Sequence, residues 1–171
     1  MLARLNDVQF FWDEDVTTAA FDLWNERLTR VVFQDGLGSI ADKVTRMVSL
    51  GAVVLDAMGA PSDLRKTVQR AIVCSKADLV SQMVMELPTL QGTMGGFYAS
   101  KFNEGDDVAM AIADHYAPRF DGDAFPRTVA GAIVSIVDRL DTMVACYENN
   151  AIPTGSRDPW GIRRSMMAII S

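Results

Sequence analysis

Apolar residues recur at intervals of three and four along most of this chain, which is the spacing of one buried face on an α-helix. The first such stripe covers residues 13–32 and ends where two glycines interrupt the pattern at residues 34–39. A second stripe covers about residues 39–58 and ends at Gly59 and Pro61, because glycine suits a left-handed helix cap and proline cannot continue a helix interior. The pattern therefore predicts two amphipathic helices in this part of the chain.

The same spacing predicts further helices at about residues 62–87, 88–98, 106–116 and 126–148, and a last one after residue 158. Asp158 is placed to cap that last helix, and Pro159 would be its first residue. No segment shows the sustained alternation of a half-buried strand, and no internal repeat is found. We therefore predict a single all-α domain over residues 1–171, a bundle of about six or seven helices.

The stripes also predict which side chains form the core. For the helix at 39–58 the predicted inward residues are Ile40, Val44, Met47, Val48, Val54 and Leu55. For the helix at 126–148 they are Val129, Ile133, Ile136, Val137, Leu140 and Val144.

Composition and charge limit the classes of protein to which this chain could belong. Of the 171 residues 49% are hydrophobic, which suffices for a buried core and is unlike a disordered tail. The formal net charge of −6 argues against a protein that coats DNA or RNA nonspecifically, but not against a local basic site for one RNA. The two cysteines are far apart, no apolar run is long enough to span a bilayer, and no signal-peptide pattern opens the chain, so we expect a cytoplasmic protein.

Four polar residues among the apolar stripes are candidates for chemistry. The single histidine, His115, is a possible metal ligand or base, although a lone histidine near a helix end is more often a structural hydrogen-bond partner. Asp138 and Asp141 stand three apart and share one helix face, so they could hold a divalent ion or pair with an arginine or lysine. Asp78 interrupts an apolar stripe and offers the same choice. One histidine cannot supply a transition-metal site that needs several, so we predict no metal ion.

The segment PTGSRDP, which precedes the last helix, has the outline of an anion-binding loop. Small residues allow close approach, the helix that follows presents free N–H groups, and Arg157 supplies positive charge. Arg163 and Arg164 follow on that helix. They either face outward, where they would contact RNA phosphates, or pair inward with Asp138 or Asp141, and the sequence favours neither arrangement.

Six strings of the chain occur in the same order in one protein family: FFWDED, VVFQDGLGSIADKVTRM, KADLVSQMVMELPTLQGTMGGFYA, DHYAPRF, DRLDTM and PTGSRDPWGIRR. They are spread from residue 10 to residue 164 and resemble the β subunit of bacterial glycyl-tRNA synthetase, so the resemblance covers almost all of the chain. The resemblance implies an HD-like helical bundle, related to metal-dependent phosphohydrolases but with the hydrolase site lost. The degenerate site positions would be Asp78, His115, Asp138 and Asp141. Because that β subunit is several times longer, we expect this chain to be a fragment or a truncated relative of it.

The resemblance also implies partners and cofactors. We expect the chain to bind the acceptor region of glycine tRNA and to contact the remainder of the β subunit and the separate α subunit. ATP and Mg²⁺ would be bound by the α subunit, which holds the catalytic site, so we expect no cofactor in this chain and no activity from it alone. No DNA or membrane partner is implied. The candidate tRNA contacts are Arg157, Arg163, Arg164, Arg119 and Lys76.

Two alternatives stay open beside this expectation. One is an active HD-type metal-dependent nucleotide phosphohydrolase that uses Asp78, His115 and Asp138. The other is a purely architectural scaffold. Two departures from the family pattern bear on the choice: Gly96 replaces a usual arginine and removes a possible phosphate contact, and Gly161 replaces an alanine, which should weaken the last helix by up to about 1 kcal/mol.

Overall fold

The computed structural model is helical in every region where the pattern predicts a helix, and it describes residues 2–18, 20–34, 36–120, 122–150, 158 and 161–170. Its α-helices are α1 (Leu2–Thr18), α2 (Phe21–Arg27), α3 (Ile40–Ala57), α4 (Ser62–Cys74), α5 (Gln82–Glu86), α6 (Thr93–Lys101), α7 (Asp106–Asp114), α8 (Val129–Glu148) and α9 (Ile162–Ile170). Short 3₁₀ helices cover Leu28–Arg30, Ala77–Val80 and Pro88–Leu90. Within these described ranges there is no strand, only one isolated bridge between Val32 and Ser39. The all-α class is confirmed, with nine α-helices in the described ranges where six or seven were predicted.

The helix predicted over residues 13–32 is interrupted. α1 ends at Thr18, Ala20 is extended, and α2 begins at Phe21. The break lets two aromatic residues of α2, Phe21 and Trp24, enter the core, where the Trp24 ring meets the Tyr98 ring edge-on with centroids 4.8 Å apart. Periodicity missed this break because it depends on packing with a helix distant in sequence.

The helix predicted over residues 62–87 is also interrupted. α4 ends at Cys74, a 3₁₀ helix follows at Ala77–Val80, and α5 begins at Gln82. The Ser81 hydroxyl caps α5 by accepting the N–H of Val84 at 3.1 Å. From the α1 side, the buried Asp15 carboxylate accepts the N–H groups of residues 82 and 83 at 2.8 and 3.1 Å. Polar groups thus fix the start of α5 and end the long predicted helix.

The core lies where α3, α4 and α7 pack against α8, and α9 covers α8 from a further side. The predicted inward face of α8 is only partly right, because Val129 and Val144 are more than half exposed. The buried side of the helix is instead formed by Ala130, Ile133, Val134, Val137, Asp138, Asp141 and Ala145. Two acids therefore lie on the face that packs into the core. No helix of the described ranges has the length and apolar character needed to cross a membrane.

Two glycines have structural roles that the sequence did not indicate. A Cβ at Gly96 would lie 2.9 Å from the Ala109 carbonyl oxygen and 2.7 Å from the Ala113 Cβ, so glycine here permits α6 to pack closely against α7. Gly161 precedes α9 with φ of 63°, a conformation that favours glycine, so the expected weakening of the helix interior is wrong. Asp158 caps α9 as predicted, although the helix begins only at Ile162; Pro159 lies outside the described residues.

Candidate functional site

A lysine on α3 brings positive charge into the core. The buried stripe of α3 consists of Ile40, Lys43, Met47, Gly51 and Leu55. The Lys43 side chain is only 4% exposed. Its Nζ donates to the Asp138 carbonyl oxygen at 3.1 Å, to Asp141 Oδ2 at 3.1 Å and to Thr142 Oγ1 at 2.8 Å. These three bonds use all three donors of the ammonium group.

The two acids of α8 are neutralised from different sides. Asp138 Oδ2 accepts from Lys76 Nζ at 2.8 Å, while its Oδ1 lies 3.0 Å from Lys43 Nζ as an ion pair whose angles do not make a hydrogen bond. Asp141 accepts two hydrogen bonds from the Arg46 guanidinium, at 2.7 and 3.1 Å. We call Lys43, Arg46, Lys76, Asp138 and Asp141 the ion network.

The ion network keeps the Asp138 carboxylate charged. Burial alone would raise the pKa of Asp138, but Lys76 and Lys43 beside it hold that pKa well below its usual range. The Asp141 carboxylate raises the pKa of Arg46 through the hydrogen bonds between them. Burial lowers the pKa of Lys76, and Asp138 opposes that effect. The arrangement is that of a buried ion network in which opposite charges neutralise one another.

His115 lies at the end of the ion network as a neutral ring. Its Nδ1 is 2.6 Å from the Ile112 carbonyl oxygen, which can only accept a proton, so Nδ1 carries the hydrogen. The Nε2 atom is then free to accept from Lys76 Nζ at 2.9 Å. Burial, with Lys76 adding to it, lowers the pKa of His115 to about 3. The ring is therefore a hydrogen-bond acceptor at neutral pH.

These residues do not fit a catalytic metal ion. The Lys76 ammonium lies between the two side chains that would have to share the metal, within hydrogen-bond distance of both His115 and Asp138. Asp78 points elsewhere: its Oδ2 accepts the N–H groups of Gly92 and Gly95 at 2.6 and 3.0 Å. Burial raises its pKa to about 6. In the described ranges no three histidine, cysteine or acidic side chains come together as metal ligands.

Four arginines lie at the other side of α8, and we call Arg119, Arg139, Arg163 and Arg164 the arginine surface. Arg163 and Arg164 are exposed on the first turn of α9. Arg119, Arg139 and Arg164 line one cavity of about 240 Å³. No carboxylate of the described ranges comes within ion-pair distance of any of the four guanidinium groups.

The Arg139 guanidinium is held in place by backbone oxygens. It donates to the carbonyls of Tyr116 and Pro118 at 3.1 and 2.9 Å, and also contacts the Ser135 hydroxyl. Burial lowers its pKa, with Asp138 opposing and Arg164 adding to the effect, but an arginine stays protonated at neutral pH. The arginine surface thus contains a fixed, partly buried positive charge.

The whole chain, residues 1–171, matches the family model described as glycyl-tRNA synthetase beta subunit. The chain belongs to this family. Relatives described as glycine–tRNA ligase beta subunit include those of Desulforamulus reducens (44% identical over 167 residues), Oceanobacillus iheyensis (43% over 168) and Lawsonia intracellularis (45% over 168). Each comparison covers 98% of this chain and 24% of the relative. The chain therefore spans about a quarter of the length of these glycyl-tRNA synthetase β subunits.

The structure sorts the predicted site residues into two groups. Asp138 and His115 meet at Lys76, and Asp141 meets Lys43 and Arg46 one turn further along α8. Lys76, a candidate tRNA contact, is therefore buried, with only 3% of its side chain exposed. Asp78, in the 3₁₀ helix Ala77–Val80, is separate from both groups, and its carboxylate binds backbone N–H groups at the start of α6. Arg119 and Arg164 share a cavity, with Arg163 beside them on α9. Arg157 lies outside the described residues.

Sequence reasoning missed three charged residues. Lys43 and Arg46 neutralise the acids of α8, and Arg139 belongs to the arginine surface. For Lys43 a signal was present, because it falls in helical register with Ile40 and Met47 on the apolar stripe of α3. A charged residue in such a register indicates a buried partner.

Proposed function

We propose that this chain is a non-catalytic part of a glycyl-tRNA synthetase β subunit that contributes to binding the acceptor region of glycine tRNA. One observation carries the proposal: Asp138 and Asp141 are already neutralised by the ion network, which leaves Arg163 and Arg164 on the surface without an inward carboxylate partner among the described residues. Exposed arginines without carboxylate partners are the groups that bind RNA phosphates. Together with Arg119 they offer a local basic site in a chain whose net charge is −6.

The geometry of His115 supports the non-catalytic part of the proposal. An HD-type phosphohydrolase needs a metal ion between the imidazole and the carboxylate, and here the Lys76 ammonium lies between them. The positive charge of Lys76 satisfies Asp138 electrostatically but offers no Lewis acid and no bound water. ATP and Mg²⁺ would then act in the α subunit of a cytoplasmic enzyme.

Exposed apolar side chains support a second, architectural contribution. Met166, Met167 and Ile170 of α9 are 41%, 65% and 77% exposed. Apolar side chains concentrated on one helix are typical of a surface that another protein segment covers. The remainder of the β subunit and the α subunit are the partners that we propose for it.

A binding titration with glycine tRNA at low and moderate salt tests the tRNA contact. The variant pair is Arg163→Gln with Arg164→Gln, and the matched control is Arg27→Gln with Arg30→Gln, two exposed arginines of the N-terminal region. We expect the first pair to weaken binding and to reduce the slope of log affinity against log salt by about one for each phosphate that is no longer neutralised. The control pair should leave both nearly unchanged.

Two results would reject the tRNA contact. One is no binding of glycine tRNA by the chain at either salt concentration. The other is equal binding by the two arginine pairs, which would leave the arginine surface without a role in RNA recognition. If Arg157→Ala then impairs stability or assembly while tRNA affinity stays intact, the architectural role alone remains.

A further inference from the structure

Two cavities adjoin at the arginine surface. The first is the cavity of about 240 Å³ lined by Arg119, Arg139 and Arg164. The second has a volume of about 450 Å³ and is lined mainly by apolar groups, among them Phe120, Phe125 and Ala168. Pro118 and Arg164 line both cavities, so the two lie side by side, and we call them together the depression, with a cationic part and an apolar part.

The cationic part has the chemistry of a phosphate site. Arg139 is oriented by carbonyl oxygens, and Arg119 donates to the Gln91 carbonyl oxygen at 3.0 Å, so both guanidinium groups are held by backbone. Three neighbouring arginines that pair with no carboxylate of the described ranges repel one another, and an anion placed among them relieves that repulsion. Phosphate matches the planar, multidentate donors of arginine. The terminal nitrogens of Arg139 already donate to backbone oxygens, so Arg139 contributes mainly charge, and Arg119 and Arg164 contribute the remaining N–H donors.

The apolar part offers aromatic surface to a flat ring. Phe120 and Phe125 lie in the same loop, and both line the cavity. The two residues are 62% and 58% exposed. Asp123 also lines it, but its carboxylate is engaged by the backbone N–H groups of Arg119 and Ala124, at 2.6 and 2.9 Å. Exposed phenylalanine beside arginine is the combination that stacks a base while a cation holds its phosphate.

We infer that this depression binds one unpaired nucleotide, with its phosphate among the three arginines and its base against Phe120 and Phe125. A base inside a duplex is stacked on both faces and paired at its edge, so it could not enter the apolar part. The nucleotide could belong to a single-stranded segment of RNA or be free in solution. The part of the inference that names RNA as the source rests on the proposed function. The part that assigns a nucleotide to the depression does not depend on it.

The test compares four probes with the full 171-residue chain: a labelled single-stranded hexaribonucleotide, a hairpin duplex of the same composition, AMP and inorganic phosphate. The variants are Arg164→Gln and Phe125→Ala. Their matched controls are Arg30→Gln and Phe10→Ala, which change an exposed arginine and a phenylalanine of similar exposure that line neither cavity. Unchanged thermal unfolding of each variant establishes that it is folded.

We expect the single strand to bind at least about tenfold more tightly than the duplex. Arg164→Gln and Phe125→Ala should each weaken single-strand binding about tenfold, in line with removal of one phosphate partner or one stacked base. The controls should change it less than about twofold. Competition by AMP, but not by inorganic phosphate alone, at equal concentration shows that the base contributes. If AMP binds as tightly as the hexamer, a free nucleotide is the ligand; if the hexamer binds more tightly, the ligand is RNA.

Some outcomes overturn this inference and leave the proposed function standing. If glycine tRNA binds with the expected dependence on Arg163 and Arg164 while Phe125→Ala and the single-stranded competitor have no effect, the arginines contact only the RNA backbone. Equal affinity for the single strand and the duplex would also show that the arginines contact only the RNA backbone. If the hexamer binds but glycine tRNA does not, the proposed function fails and the nucleotide site stands. Binding of no probe rejects the site and leaves the apolar part as a protein contact.

Discussion

In the ion network each carboxylate touches two cations, whereas on the arginine surface none of the four cations has a carboxylate of the described residues within ion-pair distance. Asp138 and Arg139 are neighbours on α8 and yet belong to different regions. One step along a helix turns the side chain by about 100°, so Asp138 faces the core and Arg139 faces the α9 side. The difference teaches that the face of a helix decides whether a charge is neutralised by an opposite charge or keeps its charge at the surface.

The largest expected effect follows from removing the shared acid. Asp138→Asn leaves the buried ammonium group of Lys76 without a carboxylate partner, while Lys43 keeps its pair with Asp141, and an uncompensated buried charge typically costs about 3–5 kcal/mol. We expect the free energy of unfolding, measured with urea, to fall by about that amount. Asp56→Asn removes an exposed partner of Arg65 and should cost less than about 1 kcal/mol. Similar losses in both variants would show that burial does not separate the two kinds of ion pair.

The next prediction concerns protonation of the single histidine. The folded pKa of about 3 lies below the value of about 6.5 of an unfolded histidine, so the folded state rejects this proton. The stability that the neutral ring contributes is complete above about pH 6.5 and declines as the pH falls towards 3. The ¹H NMR signals of the ring should stay constant from about pH 8 to about pH 5. A titration with a midpoint near about 6.5 would mean that Lys76 and the core do not enclose it.

Asp78 gives the opposite slope over part of the same pH range. Its folded pKa of about 6 lies above the value of about 3.9 of an unfolded aspartate, so the folded state takes up a proton between about pH 6 and 4. This gain in stability partly offsets the loss at His115. In the variant Asp78→Asn, which keeps a hydrogen-bond acceptor for Gly92 and Gly95, unfolding free energy should fall more steeply with acidification than in the parent. Parallel pH profiles would contradict the raised pKa.

A smaller effect is expected at the margin of the ion network. The side chain of Arg46 is 39% exposed, and Asp141 keeps its contact with Lys43 when Arg46 is removed. Arg46→Gln should therefore lower the free energy of unfolding by about 1 kcal/mol, a value between those of buried and exposed pairs. Lys66→Gln, which breaks an exposed pair with Asp63, is the matched control and should be within a few tenths of a kcal/mol, about the value of i,i+3 pairs.

The smallest effect on stability is expected on the arginine surface. Arg163→Gln combined with Arg164→Gln removes no ion pair of the described ranges, so the free energy of unfolding should change by less than about 0.5 kcal/mol. The same variant should weaken tRNA binding. Weaker binding with unchanged stability would show that these charges serve a ligand and not the fold. A decrease in the free energy of unfolding of more than about 2 kcal/mol would show that these arginines stabilise the fold, as the ion network does, and would contradict the difference between the two regions.

The sequence predicted elements whose ends are set locally. Ser39 begins α3 with a reciprocal cap with Asp42, and glycine or proline follows α3 and α7 within a few residues. The breaks after Thr18 and Cys74 were not predictable in this way, because they depend on contacts with residues far along the chain. The first break lets Trp24 contact Tyr98, and the second lets Lys76 contact Asp138. Helical periodicity carries no information about those partners.

Several residues of the candidate site were predictable from the sequence, but the pairing between them was not. Asp138 and Asp141 were identified by their spacing, while the choice between Arg163 or Arg164 and another cation depended on how α3 packs on α8. The register of Lys43 with the apolar stripe of α3 was the one available indication. Arg139 gave none, since an arginine beside an aspartate on a helix is ordinary in sequence.

The bonds of Asp138 have a consequence for local opening of the fold. Lys43 reaches this acid from α3, and Lys76 reaches it from the residues that follow α4. Moving α8 away from either neighbour would strand a charge in the interior, so partial separation is disfavoured. The amide hydrogens in the middle of α3 and α8 should therefore exchange with solvent together, through one cooperative event, while those of α9 exchange earlier and independently.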